Sequence, residues 1–283
     1  MMLKTAIVTG GQKKDVAPMA VLALNIKEIC PKLADKLVIL HDGISKKDQD
    51  LIQGVYPTEF RRFYLDISRR AYRNNPSLRY FSYMVFCKFE CFNLLNDYDI
   101  VIWTDYDVVI NRDLEELKDV TREGLQLIMS EGTLGYKFKE NMPKEFLEKY
   151  DMVSNAGVST PLLVMTKAIG DYNEYYKWCM NTAGKYAEYL NMPEESIFSL
   201  LVQEYGIKVY PLPKPEYALQ YSDDADDAAI HHAIGQPKYW NGLHHRLWAE
   251  RYDKWVAMGG TPYKQPLKEK LQELLSGIKH MDK

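Results

Sequence analysis

No G-x-G occurs anywhere in the 283 residues, and G-x-x-x-x-G-K-[ST], G-x-S-x-G and His-Glu-x-x-His are missing as well. A dinucleotide cradle, a P-loop, a nucleophile elbow and a zincin helix each need those residues at fixed spacing, so all four site types are excluded. Cysteine is scarce. Cys30, Cys87, Cys91 and Cys179 lack zinc-ligand spacing, and Cys87 and Cys91 stand one helical turn apart, so all four are read as reduced packing residues. An excess of one charge is lacking too: 36 Lys and Arg against 39 Asp and Glu leave a net charge of −3. That balance supplies no field for a phosphate backbone, and nucleic acid is set aside as a partner. The N-terminal apolar run, Met19 to Leu24, falls far short of the roughly 20 residues that span a bilayer, and no signal-peptide pattern precedes it. The expected location is the cytoplasm.

What is present is a globular composition, 46% hydrophobic and 27% charged, with a length that suits one elaborated α/β domain. Lys4 to Thr9 reads as a strand, Val16 to Ile29 as an amphipathic helix and Leu37 to Leu40 as a second strand, which makes a βαβ opening. Helix-like and strand-like segments then alternate through Lys46–Val55, Phe60–Ile67, Leu78–Asn96 and Ile100–Thr104. Later come a strand at Gly157–Met165, helices near Ala168–Leu190 and Glu194–Glu204, and a short strand at Ile207–Tyr210. Such alternation predicts an α/β fold with a mainly parallel central sheet flanked by helices. Residues 1–245 form the main domain in this reading, and 246–283 form a helical C-terminal extension. The extension ends in an apolar stripe from Leu267 to Ile278 with lysines beside it. That stripe packs on the main domain or rests on an acidic membrane surface.

The apolar run Ile100-Val101-Ile102-Trp103 has the character of a strand buried on both faces, and ligands of open α/β sheets sit beyond the carboxyl ends of such strands. This strand ends at Thr104-Asp105-Tyr106-Asp107. D-x-D occurs four times, at Asp48/Asp50, Asp97/Asp99, Asp105/Asp107 and Asp224/Asp226. Only the third pair follows a fully apolar strand, and the others read as solvated surface. Two adjacent carboxylates there either hold a hard divalent cation or serve as strand-end turn residues. Lys88 falls on an apolar stripe with Phe81, Met84, Val85, Phe92 and Leu95, so its ammonium either snorkels to solvent or pairs with a carboxylate or phosphate. Further on, His231-His232-Ala233-Ile234-Gly235-Gln236-Pro237-Lys238-Tyr239-Trp240 gathers a metal ligand, a side-chain-free position and a cation. Each suits the handling of a diphosphate.

These segments resemble glycosyltransferase family 8, the retaining GT-A enzymes that include bacterial lipopolysaccharide galactosyl- and glucosyltransferases and glycogenin. Trp103 to Val109 followed by Asp113 to Leu117 is similar to the family's D-x-D strand and its sequel. Asn155-Ala156-Gly157-Val158 is similar to its N-A-G-V segment. His232 to Trp240 is similar to its H-x-x-G-x-x-K-P-W, with Tyr239 in place of the proline. The resemblance implies a GT-A nucleotide-diphospho-sugar transferase fold in which Asp105, Asp107 and His232 ligate Mn²⁺ or Mg²⁺. It further implies that Gly235 and Lys238 grip the diphosphate of a UDP-sugar, and that Lys88 and Asn155 contact the donor sugar or its phosphate. The nucleotide would lie against Thr9, Gly10, Gly11 and Tyr106. Two departures stand out. Thr9-Gly10-Gly11-Gln12 replaces an acidic residue after the first strand, with Asp15 only later, and Glu194-Glu195-Ser196 stands where the family often has D-Q-D.

The activity so implied moves a hexose, from UDP-galactose or UDP-glucose, to a saccharide or glycolipid acceptor in lipopolysaccharide or polysaccharide synthesis. Glu194 or Glu195 supports the developing sugar cation or attacks it, or else simply complements a helix N-terminus. The stretch from Gly132 to Ser154, with Tyr136, Lys137, Phe138 and Lys139, reads as an acceptor lid or a plain surface loop. Two rival readings remain. In one, Asp105 is the nucleophile of an aspartyl-phosphate phosphatase, with Asp223 and Asp224 on Mg²⁺. In the other, the chain is a non-catalytic sugar-nucleotide-binding module.

Overall fold

The computed structural model describes residues 3–222 and 228–264. The Asp224/Asp226 pair, the proposed Asp223/Asp224 magnesium site and the Leu267–Ile278 stripe lie outside the described residues.

The chain opens with β1 (Thr5–Gly11), α1 (Val16–Ile29), β2 (Lys36–His41), α2 (Lys46–Val55) and β3 (Thr58–Arg62). Short helices α3 (Arg69–Asn74) and α4 (Pro76–Phe81) follow, then a 3-10 segment Tyr83–Phe89 and α5 (Glu90–Leu94). Next come β4 (Ile100–Thr104), β5 (Val108–Ile110), β6 (Gly124–Thr133), α6 (Lys144–Lys149) and β7 (Ala156–Thr166). The described chain closes with α7 (Tyr172–Tyr186), α8 (Pro193–Tyr205), β8 (Lys208–Pro211), α9 (Lys214–Tyr217), β9 (Leu219–Gln220), β10 (Ile230–His232) and α10 (Arg246–Ala257).

Among the described residues, seven strands form the central sheet in the order β3-β2-β1-β4-β7-β6-β8, and three form a small second sheet, β5-β10-β9. In the large sheet β7 alone runs against its neighbours, antiparallel to β4 and β6, while the remaining pairs are parallel. The expected mainly parallel sheet is therefore present with one reversed strand. Apolar side chains fill both faces: one core lies under the 3-10 segment, α5, α7 and α8, the other under α1 and α2.

Helix α1 departs from the amphipathic expectation, because every residue from Val16 to Ile26 is buried. The sheet covers one side of it, and α10 and β5 cover others. Asn25 is the one polar group in that stretch, and it is fully paired. Its amide donates to the Ile110 carbonyl at 2.8 Å and its oxygen accepts from the Ile110 N–H at 2.7 Å, which pins β5 to α1. A second departure concerns Asp48, expected on solvated surface. It is buried, pairs with Ser45 at the start of α2, and accepts from the Thr261 N–H at 2.9 Å and the Thr261 hydroxyl at 2.9 Å. The segment Leu78–Asn96 is also not one helix, since it breaks at Ser82.

Candidate active site

The carboxyl ends of β1 and β4 open into a cleft of about 1720 Å³. Strand β4 is buried throughout because each of its residues is apolar or, at Thr104, shielded, and the chain turns sharply after it. That turn carries Asp105, Tyr106 and Asp107 into the cleft, and β5 begins at the next residue. Strand β10 pairs antiparallel with β5 in a register that sets His232 opposite Val108. A residue 125 positions away is thereby delivered beside Asp107, with its Nε2 3.2 Å from Oδ1 of Asp107 and 4.0 Å from Oδ2 of Asp105.

The ligand atoms of Asp105, Asp107 and His232 all lie within 4.8 Å of one another. A divalent ion bound at about 2.1 Å to oxygen and imidazole holds its donors roughly 3 to 4.2 Å apart, a range that both His232 distances meet, and two carboxylates with an imidazole suit such an ion in donor chemistry. Nδ1 of His232 is buried without a hydrogen-bond partner, which leaves Nε2 as the nitrogen available to a ligand.

Two lysines flank this trio. Lys238 donates to Oδ2 of Asp107 and, at 2.6 Å, to the Ala233 carbonyl. Burial opposes ionisation of Asp107, but His232 and Lys238 outweigh it and hold the carboxyl well below the usual range. Lys88 is buried and donates to Oε1 of Glu194 at 2.9 Å, to the Thr160 carbonyl at 3.0 Å and to its hydroxyl at 3.3 Å. It also pairs with Oδ1 of Asp105 at 3.1 Å, an oxygen that accepts from the Trp103 indole at 2.8 Å. Burial alone would discharge this ammonium, yet Asp105 and Glu194 hold it charged. Of the two readings for Lys88, the structure selects the paired one.

Glu194 and Glu195 open α8 just after Pro193, and both are buried while lining the cleft. Burial pushes Glu194 above the ordinary carboxylate range despite Lys88. For Glu195 burial is overcome by Lys137, whose ammonium lies 2.6 Å from Oε2 and keeps the group ionised. Its other oxygen, Oε1, accepts from the Ser159 hydroxyl at 2.6 Å and the Thr160 N–H at 3.2 Å.

Gly10, Gly11, Tyr106 and Gly235 also line the cleft. A Cβ on Gly11 would lie 2.9 Å from the Tyr106 ring and 3.2 Å from Oδ2 of Asp15, so this glycine lets both side chains close over the end of β1. Asp15, which comes later in the chain than the family's acidic residue, folds back into the cleft and accepts from the Gln12 N–H at 2.9 Å. Gly235 has open space around it but a φ of +71°, which few other residues adopt at no cost.

Two expected residues are not brought to the cleft. Thr9 is buried within β1, its hydroxyl without a partner. Asn155 is exposed ahead of β7, and its amide turns back to the Asp151 carbonyl at 3.4 Å. Its position precedes the stretch of β7 that faces the cleft, which starts near Ser159. Conversely, Lys137 was noted only as part of a lid. The stretch from Gly132 to Ser154, read as an acceptor lid or a plain surface loop, is a folded insertion: Phe138 is buried and bridges to Leu190, and Lys137 is among the most buried side chains of the described residues.

A mixed sheet whose central strands end in a paired-carboxylate turn, joined by a histidine from a second small sheet, defines a GT-A glycosyltransferase. A family model described as glycosyl transferase family 8 matches residues 7–243, and the chain belongs to that family. No curated protein matches the chain by sequence. Among solved structures it is similar to the apo bifunctional glycosyltransferase WbbM, with a TM-score of 0.63 at 15% identity over 91% of this chain and 51% of that one. The galactosyltransferase LgtC, solved with donor and acceptor sugar analogues, gives a TM-score of 0.58 at 15% identity over 94% of this chain and 99% of that one. The glycosyltransferase GlyE of Streptococcus pneumoniae gives 0.55 at 15% identity over 93% of this chain and 66% of that one. At these identities the likeness is one of fold. Among the described residues no helix is long and apolar enough to cross a membrane.

Proposed function

We propose that the chain transfers a hexose from UDP-galactose or UDP-glucose to a saccharide or glycolipid acceptor with retention of configuration, holding the donor diphosphate on Mn²⁺ or Mg²⁺. The observation that carries this reading is the convergence of Asp105, Asp107 and His232 between two lysines. The bound ion supplies a Lewis acid for the departing diphosphate. Lys238 adds a cation on one side, and Gly235 gives backbone N–H groups close approach to the phosphates. Gly10, Gly11 and Tyr106 border the nucleotide, with Asp15 as the acidic group that the sequence after β1 otherwise lacks. Lys88 couples Asp105 to Glu194, so the phosphate end of the site and its carboxylate end share one ammonium.

Glu194 and Glu195 face the sugar as positive charge grows on it. Tyr80, Phe81 and Tyr136 stand exposed along the cleft and suit the faces of an acceptor saccharide. Residues 1–245 form the catalytic unit in this reading, with 246–283 an extension that includes α10. LgtC, by its description a galactosyltransferase, supports galactose as the first donor sugar to try. The phosphatase alternative loses ground because Oδ1 of Asp105 is already held by Trp103 and Lys88, and because the family is one of glycosyl transfer.

The test is slow donor hydrolysis by purified protein with Mn²⁺ and UDP-galactose or UDP-glucose, followed by UDP release. Asp107→Ala is expected to lower the rate at least about 100-fold. An unchanged rate in the folded variant removes the metal-centred reading.

A further inference from the structure

The insertion between β6 and β7 reaches into the site through one side chain. Leu134 to Lys137 form a 3-10 turn, and the Lys137 carbonyl accepts from the Asn191 N–H at 2.9 Å and from the Ser196 hydroxyl at 2.5 Å. The neighbouring Lys139 N–H donates to the Tyr189 carbonyl at 2.8 Å. The backbone at 137 is thus clamped to the chain just before and inside the first turn of α8. From there the lysine stem runs across Gly157 to Glu195. A Cβ at Gly157 would collide with Cδ and Cε of that stem, so the glycine of the N-A-G-V segment is the floor of a channel for Lys137. At the far end the ammonium meets Oε2 of Glu195 at 2.6 Å, with the lysine side chain 2% exposed.

We propose that Lys137 is a positioning residue that fixes the cleft-facing Glu195 for glycosyl transfer, and that Gly157 serves the reaction by keeping the lysine's path open. The proposal rests on the glycosyltransferase reading of Glu195 given above. An isolated buried ammonium costs several kcal/mol, so a lysine is retained in such a channel only if its partner repays it. Glu195 does so in a directed way. One oxygen is spent on Lys137 and the other on Ser159 and Thr160, which locks the carboxylate plane and holds its charge in place. A rigid anion beside the sugar stabilises growing positive charge without reorganising during the reaction. The same turn exposes Tyr136 to the cleft, so acceptor side and carboxylate side are set by one element.

The experiment compares Lys137→Ala, Gly157→Ala and the double variant with the parent on whichever UDP-hexose the parent turns over. Each is measured for kcat, donor KM, and the Mn²⁺-dependent rise in melting temperature on adding UDP. Lys137→Ala is expected to lower kcat about 10- to 100-fold, as loss of a supporting partner does, with donor KM and the UDP-induced rise kept. Gly157→Ala is expected to give the same pattern, and the double variant to lose no more than either single one, because the new methyl has no stem to displace. A parental kcat in Lys137→Ala, a loss shared equally by KM and UDP binding, or full additivity in the double variant overturns the proposal. Inactivity of the parent on both UDP-hexoses is a failure of the donor assignment, visible before any variant is made.

Discussion

Asp15 shows how far a single side chain at this site is from its comfort in water. It is buried beside Tyr106, and burial pushes its carboxyl from an ordinary 3.8 up to about 6, against the pull of Lys14 and the Gln12 amide. Because the folded state binds the proton more tightly than the unfolded chain, stability is fully kept below about pH 4 and falls as pH rises from there to about 6. The loss is about 3 kcal/mol at neutral pH. Asp15→Asn keeps the acceptor for Gln12 and removes the charge. It is expected to unfold at a higher denaturant concentration than the parent at pH 7.5 and at the same concentration near pH 4. A gap that does not change with pH contradicts the account. Legibility at this scale followed local context. Asp105, Asp107, Lys88, His232 and Lys238 stood out because each broke a pattern or sat in a cluster. Lys137 did not, since it lies in a polar stretch with exposed Tyr136 and its burial arises only when the insertion folds onto α8. Asn155 is the converse case: the polar residue of its segment stays exposed, while Gly157, two residues on, is the one that lies against the Lys137 stem.

Helices and strands were readable where their periodicity was unbroken. Val16–Ile29 and Lys46–Val55 have the bounds that the apolar spacing predicts, and Ile100–Thr104 is the buried strand that its composition demands. Leu78–Asn96 was read as one helix because the apolar stripe continues across the break. The break is made by Ser82, at φ 62° and ψ 168°, a region almost confined to glycine. Its hydroxyl accepts from the Met84 N–H at 3.1 Å and starts the 3-10 segment that aims Lys88 at the site. Valine, being β-branched, tolerates that backbone poorly and has no hydroxyl to offer, so Ser82→Val is expected to cost roughly 2 to 3 kcal/mol. Ser82→Gly keeps the dihedral angles and gives up only the cap. Urea midpoints measure both, and equal midpoints for the two variants contradict a strained turn. The short strands β5 and β10 were invisible to periodicity, because three residues carry no period. Their pairing is a tertiary fact that positions His232.

At the scale of the whole molecule, α1 joins the site to the C-terminal part of the described chain. On one side Asn25 holds β5, the strand that follows Asp107. On the other, Glu28 accepts from Arg251 at 2.9 Å and from Lys254 at 2.8 Å, which seats α10. The trio of Asp105, Asp107 and His232 thus draws one end from the large sheet and the other from the small one, and a ligand that bridges the three ties the two sheets together. Binding to the folded state alone adds RT ln(1 + [L]/Kd), about 2.7 kcal/mol at a hundredfold excess over Kd. For a chain of 283 residues that corresponds to a rise of roughly 4 to 5 °C in melting temperature. UDP with Mn²⁺ is expected to give such a rise, UDP with a chelator little, and His232→Ala to lose the Mn²⁺-dependent part while folding normally, since its removal leaves the β5–β10 backbone ladder intact. If UDP raises the melting temperature as much with the chelator as with Mn²⁺, the nucleotide is held without an ion, and the trio has another purpose.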